Sequence, residues 1–274
     1  MNKSCLIGFL MCSAFSLVVQ AATDGAHITK TISQIERKKG IKRTIQYRPD
    51  GNDFVCVNGK NRYTRALYGG ITDFRIETSD RPVFAAYKPK DSKHICFRLQ
   101  CGNQSIALDS LKFCEARYRA GRRTYRLTDP LLGKGELNIS VLAFPDAEGG
   151  IWRFTMKDMP EGALLHCYIS EIRAKNLSRN GDMGADRADS FDAPQLPKEQ
   201  KHYKLSLDGT TAYIVVEDQE LRLPALVEGT SLYDKSEKWR SEIESSLQIS
   251  TPDPYFNPLG GALAAAADGI WDGN

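Results

Sequence analysis

Leu137-Asn138-Ile139-Ser140-Val141 and Trp152-Arg153-Phe154-Thr155-Met156 decide the fold class of this chain. In both stretches apolar and polar residues alternate with a period of two. Such a pattern turns one face of an extended strand toward a core and the other toward solvent. The same text recurs outward from this pair. Upstream lie Thr44–Tyr47, Phe54–Val57, Phe74–Glu77, Val83–Tyr87, Ile95–Leu99, Ser105–Leu108 and Phe113–Tyr118; downstream lies Leu165–Ile169. Asp50-Gly51, Asn58-Gly59 and Pro160-Glu161-Gly162 mark turns between them. Strands this frequent, parted by Gly and Pro, predict a mainly β chain built as an antiparallel β-sandwich rather than from βαβ units.

The rest of the chain sets limits. It has 274 residues, 41% hydrophobic and 26% charged, which excludes wholesale disorder and a multi-span membrane protein. A net charge of +3 is too small for a general nucleic-acid binder. Lys3, the apolar run Leu6–Val19 and the small residue Ala21 read as an export signal over residues 1–21, the alternative being a short membrane anchor. Export places the mature chain in the periplasm, outside the cell or on its surface. Cys56, Cys96, Cys101, Cys114 and Cys167 then remain, an odd number and too sparse for a disulfide scaffold. Cys56 and Cys167 read as small buried hydrophobes, while Cys96 and Cys101 could bridge a hairpin. His27, His94, His166 and His202 are scattered along the sequence and suggest no metal site and no cofactor.

Residues 176–200 read as a long polar loop. Tyr203–Leu207 and Ala212–Val216 then read as a hairpin around Asp208-Gly209, and Ser231–Leu247 as a linker helix with Leu232, Trp239, Ile243 and Leu247 inward. In the last segment Asn257 is the expected N-cap, Pro258 the first helical residue and Asp268-Gly269 the stop. This helix of Gly, Ala and Leu has no polar face and wants burial, so a partner for it is expected beyond the sandwich, the alternative being a helix docked on the sandwich itself. Arg117, Arg119, Arg122, Arg123 and Arg126 form a basic cluster, read either as a solvated hairpin or as a site for an acidic glycan. Trp271 and Asp272 read on spacing alone as a core Trp and a capping Asp, the alternative being a sugar-contact pair, and Asp268 lies one turn before Asp272. No nucleophile elbow, phosphate loop or His-Glu-x-x-His occurs, and no residue is assigned a catalytic role.

Three stretches carry a resemblance. They are 61–70 (NRYTRALYGG), 131–137 (LLGKGEL), and 253–258 (DPYFNP) continuing to 269–274 (GIWDGN). Together they resemble the N-terminal part of exported Bacteroidetes proteins of a domain-of-unknown-function family, grouped with the six-hairpin glycosidases and found in glycan-degradation loci. The Gly-Ile-Trp step also resembles inverting α-fucosidases. The resemblance implies a β-sandwich over residues 22–224, a linker helix over 225–250, and over 251–274 the first helix of a truncated (α/α)6 toroid. It implies that catalytic carboxylates belong to that missing toroid, that the partner is a glycan, and that Trp271, Asp272 and Asp268 stand where the toroid cleft opens. The competing expectation is a stand-alone glycan-binding sandwich using aromatics such as Trp152 or Tyr68.

Overall fold

Alternating residues become strands wherever a second strand can complete their hydrogen bonds. A computed structural model describes residues 47–60, 63–88, 92–171 and 201–271, all within the unit Lys42–Asn274. The expected leader (1–21), residues 44–46, the loop 176–200 and Asp272 lie outside the described residues. In chain order the strands are β1 (Arg48–Asp50), β2 (Asp53–Val57), β3 (Tyr63–Tyr68), β4 (Arg75–Ser79), β5 (Phe84–Tyr87), β6 (Lys93–Cys101), β7 (Gln104–Ala107), β8 (Phe113–Arg119), β9 (Arg122–Thr128), β10 (Glu136–Ala143), β11 (Gly149–Lys157), β12 (Leu164–Glu171), β13 (Lys201–Ser206), β14 (Thr211–Glu217) and β15 (Glu220–Arg222). Two helices follow, α1 (Leu226–Ser245) and α2 (Leu259–Gly269).

The chain is mainly β, as its alternation requires. Among the described residues one antiparallel sheet has eight strands, in the order β1-β2-β8-β9-β10-β11-β14-β15. The other has seven, in the order β13-β12-β6-β5-β4-β3, with β7 pairing β6. Between the sheets sits one large apolar cluster. Its centre is aromatic: the Phe84 ring meets Phe97, Tyr125 and Trp152 edge-on at 5.8, 5.6 and 5.6 Å, and Phe97 meets Phe154 at 5.5 Å. Edge-to-face geometry matches the positive ring edge to the negative face. Trp152 is therefore core and offers no surface to a glycan.

The Asp208-Gly209 turn does not close a hairpin. β13 pairs β12 in the seven-stranded sheet, whereas β14 pairs β11 in the eight-stranded one. The chain crosses between sheets at this corner. Leu207 is buried there and its N–H donates to the Ala163 carbonyl at 3.0 Å, while the Asp208 carboxylate accepts from Gly162 N–H at 3.2 Å. These long-range bonds outcompete the local pairing that an Asp-Gly step favours.

The arginine-rich hairpin does form, with Ala120 (φ +37°) and Gly121 (φ +84°) in its turn. It is not simply solvated. Arg123 alternates with Tyr125 and Leu127 and points into the core, fully buried. Its guanidinium donates to the Tyr47 hydroxyl (2.6 Å) and to the Ser79 carbonyl (2.8 Å).

α1 does not leave the sandwich. It lies on the outer face of the eight-stranded sheet, where Tyr233 joins Leu142, Phe144, Ile151, Tyr213 and Val215 in a second apolar cluster. Its buried positions are Gly229, Tyr233, Ser236 and Arg240; of the expected inward residues Leu232 is half-buried and packs against that second cluster, while Trp239, Ile243 and Leu247 line a groove on another side. A Cβ built at Gly229 would stand 2.4 Å from Tyr213 Cδ2. Alanine gains about 1 kcal/mol over glycine in helix propensity. The clash with a ring inside a packed cluster costs about 1–3 kcal/mol. Gly229→Ala is therefore expected to lower the urea midpoint, and an unchanged or raised midpoint would contradict so close an approach.

Asn257 does not cap α2. Its side-chain oxygen accepts from Thr251 N–H at 2.8 Å and its amide donates back to the Thr251 carbonyl at 3.2 Å, folding the 251–257 loop instead. Pro258 is the residue at the helix N-cap. α2 docks on the sandwich through Leu259 and Ala262, which pack against the main core. Its glycines permit that approach, since a Cβ at Gly269 would lie 2.1 Å from Tyr68 Cβ, and one at Gly261 3.1 Å from Ala120 Cβ. Tyr68 thereby lies under the end of α2.

Candidate functional site

The opposite side of α2 is open. Trp239 and Ile243 stand one turn apart on α1 and share one face, and Leu247 follows just past the helix end. That face meets Leu263, Ala267 and Trp271 across a groove of about 850 Å3. The stripe that the sequence places toward the sandwich is real, but it serves the groove. Leu263 and Trp271, which line it, are 54% and 68% exposed.

Two of the residues singled out from the sequence come together here. Asp268 and Trp271 line the same end of the groove. The Trp271 carbonyl accepts from the Thr72 hydroxyl at 3.0 Å, and its N–H donates to the Asp268 carbonyl at 3.2 Å. The backbone is thus fixed while the indole stays open to solvent. Partial burial raises the Asp268 carboxyl above its ordinary value. An aromatic face beside a carboxylate can hold a sugar ring by its C–H face and its hydroxyls.

One ion network fixes the wall of the groove to the sheet. Arg240 grips Glu237 with two nitrogens at 2.7 and 3.1 Å, and donates to Glu244 at 2.7 Å. From the β8–β9 hairpin, Arg119 reaches Glu244 at 2.7 Å and Arg122 reaches Glu237 at 2.8 Å. Burial disfavours the ionised Glu244, but hydrogen bonds from Arg119 and Arg240 outweigh it and hold the carboxyl below its ordinary value. Sequence reasoning finds these arginines but not their partners, because the partners lie more than 100 residues away in α1.

The other titratable groups are structural. Cys56, Cys114 and Cys167 are buried, as expected for the two in apolar strands, and all five described cysteines are free. Burial pushes the Cys96 and Cys114 thiols up to about 12, which keeps them protonated and poorly nucleophilic. Two of the scattered histidines do meet. His166 Nδ1 lies 2.8 Å from His202 Nε2, and His166 Nε2 lies 2.7 Å from the Gln100 side-chain oxygen. They add no third ligand, and among the described residues no group of three or more His, Cys, Asp or Glu could hold a metal ion. Among those residues, too, no helix is long and apolar enough to cross a membrane.

The comparisons with known proteins speak to the sandwich. Residues 89–217 match the model of a domain of unknown function, DUF4450, so the chain carries such a domain over that stretch. No curated protein matches the chain. The matched segment ends with β14 and takes in the central strands of both sheets, while α1, α2 and the groove lie C-terminal to it.

Proposed function

We propose that this chain is the N-terminal β-sandwich portion of an exported, glycoside hydrolase-like protein that acts in glycan degradation in the periplasm or at the cell surface. The hydrolysing carboxylates belong to a helical (α/α)6 toroid that continues from α2, and this chain alone performs no turnover. The observation that carries the reading is the apolar groove between α1 and α2. Trp239, Ile243, Leu247 and Leu263 line it, an apolar surface for a further helix to cover. α1 and α2 then act as the bracket that fixes the toroid to the sandwich, with Trp271, Asp268 and Asp272 at the mouth of its cleft. The resemblance of the stretches 253–258 and 269–274 to six-hairpin glycosidase relatives points the same way.

The nucleotide sequence after codon 274 tests this directly. The reading frame is expected to continue with several hundred residues of paired amphipathic helices carrying acidic residues. The longer product should hydrolyse a polysaccharide that the 274-residue chain leaves intact. Turnover by the 274-residue chain, or a stop followed by unrelated sequence, would overturn the reading. The second case favours a stand-alone glycan-binding sandwich, for which the exposed Trp271 indole is the supporting feature.

A further inference from the structure

The outer face of the eight-stranded sheet is only partly covered by α1. Beside the helix it leaves a depression of about 360 Å3. Strand register builds its floor. Arg117, Thr124, Ser140 and Arg153 stand in one row across β8, β9, β10 and β11, and Glu115, Arg126, Asn138 and Thr155 stand in the next. Each row crosses three interstrand steps, about 14 Å.

The four guanidinium groups are not equivalent. Arg117 is held by Asp50, Asp53 and Glu115 at 2.8, 3.2 and 2.8 Å. Arg126 pairs with Glu115 and Glu136 at 3.4 and 3.5 Å, and Arg122 pairs with Glu237 at 2.8 Å. Arg153 makes no ion pair among the described residues. Its guanidinium carbon lies 3.8 Å from the centre of the Tyr233 ring, which holds it flat. Tyr233 is in turn fixed by a 2.7 Å hydrogen bond between its hydroxyl and that of Ser140. Arg153 Nε and Arg122 Nε are closed off from solvent with no acceptor among the described residues.

We propose that this depression is a carboxylate-binding subsite for a uronate-containing oligosaccharide, with Arg153 as the group that recognises the carboxylate. A planar guanidinium pre-set against a ring and free of protein carboxylates suits two-point recognition of a carboxylate. Thr124, Ser140, Asn138 and Thr155 supply hydroxyl and amide partners for the ring hydroxyls. Glu115 stays ionised, its carboxyl held low first by the hydrogen bond from Arg117, and the two arginines that engage it offset its charge. The saccharide part of the assignment rests on the glycan-degradation reading; the carboxylate part rests on Arg153.

Calorimetric titration of the purified chain with trigalacturonate, with a neutral trisaccharide and with sodium sulfate tests the subsite. Saturable binding of trigalacturonate is expected, weakening as salt rises. Arg153→Gln should lower the affinity at least tenfold. Thr155→Glu, an exposed change that threatens no packing, should do the same by adding a negative charge to the floor. Arg222→Gln, on the far edge strand, should change nothing. The proposal is overturned if trigalacturonate binds no better than the neutral trisaccharide, if Arg153→Gln and Thr155→Glu leave its affinity intact, or if sulfate binds as tightly as the uronate. Neutral glycan binding without uronate binding would sink the subsite and leave the glycan reading standing. Arg153-dependent uronate binding, with no hydrolysis by the longer product, would sink the glycosidase reading and leave the subsite.

Discussion

Phe84→Ala is expected to destabilise the sandwich by about 3–5 kcal/mol, which is a large part of the whole stability of an ordinary domain. The ring is fully buried and meets three other rings edge-on, two from the opposite sheet (Tyr125 and Trp152) and one from its own (Phe97). Its removal takes away transfer free energy and also leaves a void that no neighbour fills. The surrounding rings are fixed by their own strands and cannot collapse inward without breaking ladder hydrogen bonds. Phe84→Leu retains part of the volume and should cost less than half as much. Urea denaturation followed by circular dichroism reads both. Equal midpoints for Phe84→Ala and the parent chain would mean that the two sheets do not share this aromatic centre.

The legible part of the fold is the part written in local pattern. Residues 137–141 of β10 and 152–156 of β11 alternate strictly, and the structure pairs Val141 with Trp152 and Ile139 with Phe154 across them. The sheet assignment of β13 and β14 is not written locally. An Asp-Gly step looks the same whether the next strand folds back or crosses to the other sheet, and here the contacts of Leu207 with Ala163 decide. Arg123 illustrates a signal present but outweighed. Tyr125 and Leu127 follow it at intervals of two and announce an inward face, yet a run of arginines reads as surface. The helix stripes were legible as stripes and not as addresses. Trp239 and Ile243, with Leu247 just past the helix end, mark an apolar face of α1, while the face that meets the sheet is made by Gly229, Tyr233, Ser236 and Arg240, residues whose small size or hydrogen bonds suit close contact. The same limit applies to the candidate sites. Trp271 and Asp268 are visible in sequence, but their joint position in a groove, and the isolation of Arg153 from every described carboxylate, follow from which elements the fold brings side by side.

Arg240→Met is expected to cost about 3 kcal/mol or more, the loss typical when one partner of a buried ion network is removed. The Arg240 side chain is only 6% exposed and satisfies Glu237 and Glu244 together. Methionine fills much of the space but leaves two carboxylates in a poorly solvated place with one arginine each. The free energy is lost mainly from the docking of α1, because this network and the Tyr233 cluster join the helix to the sheet. The variant should therefore expose the helix to amide hydrogen exchange sooner than the core strands. The acid limb gives an independent reading. Glu244 titrates below its ordinary value of 4.5 in the folded chain, so its contribution is present above that pH and lost as pH falls through the lower folded value. Between pH 6 and pH 3 the parent chain should lose stability that Arg240→Met has already partly lost, and the two urea midpoints should converge. A constant gap between them over that range would show that Arg240 acts through packing alone. A groove wall held by charge in this way sets a condition on the proposed toroid contact. Loosening α1 moves Trp239, Ile243 and Leu247 away from Leu263 together, so the seat is lost as a unit rather than residue by residue.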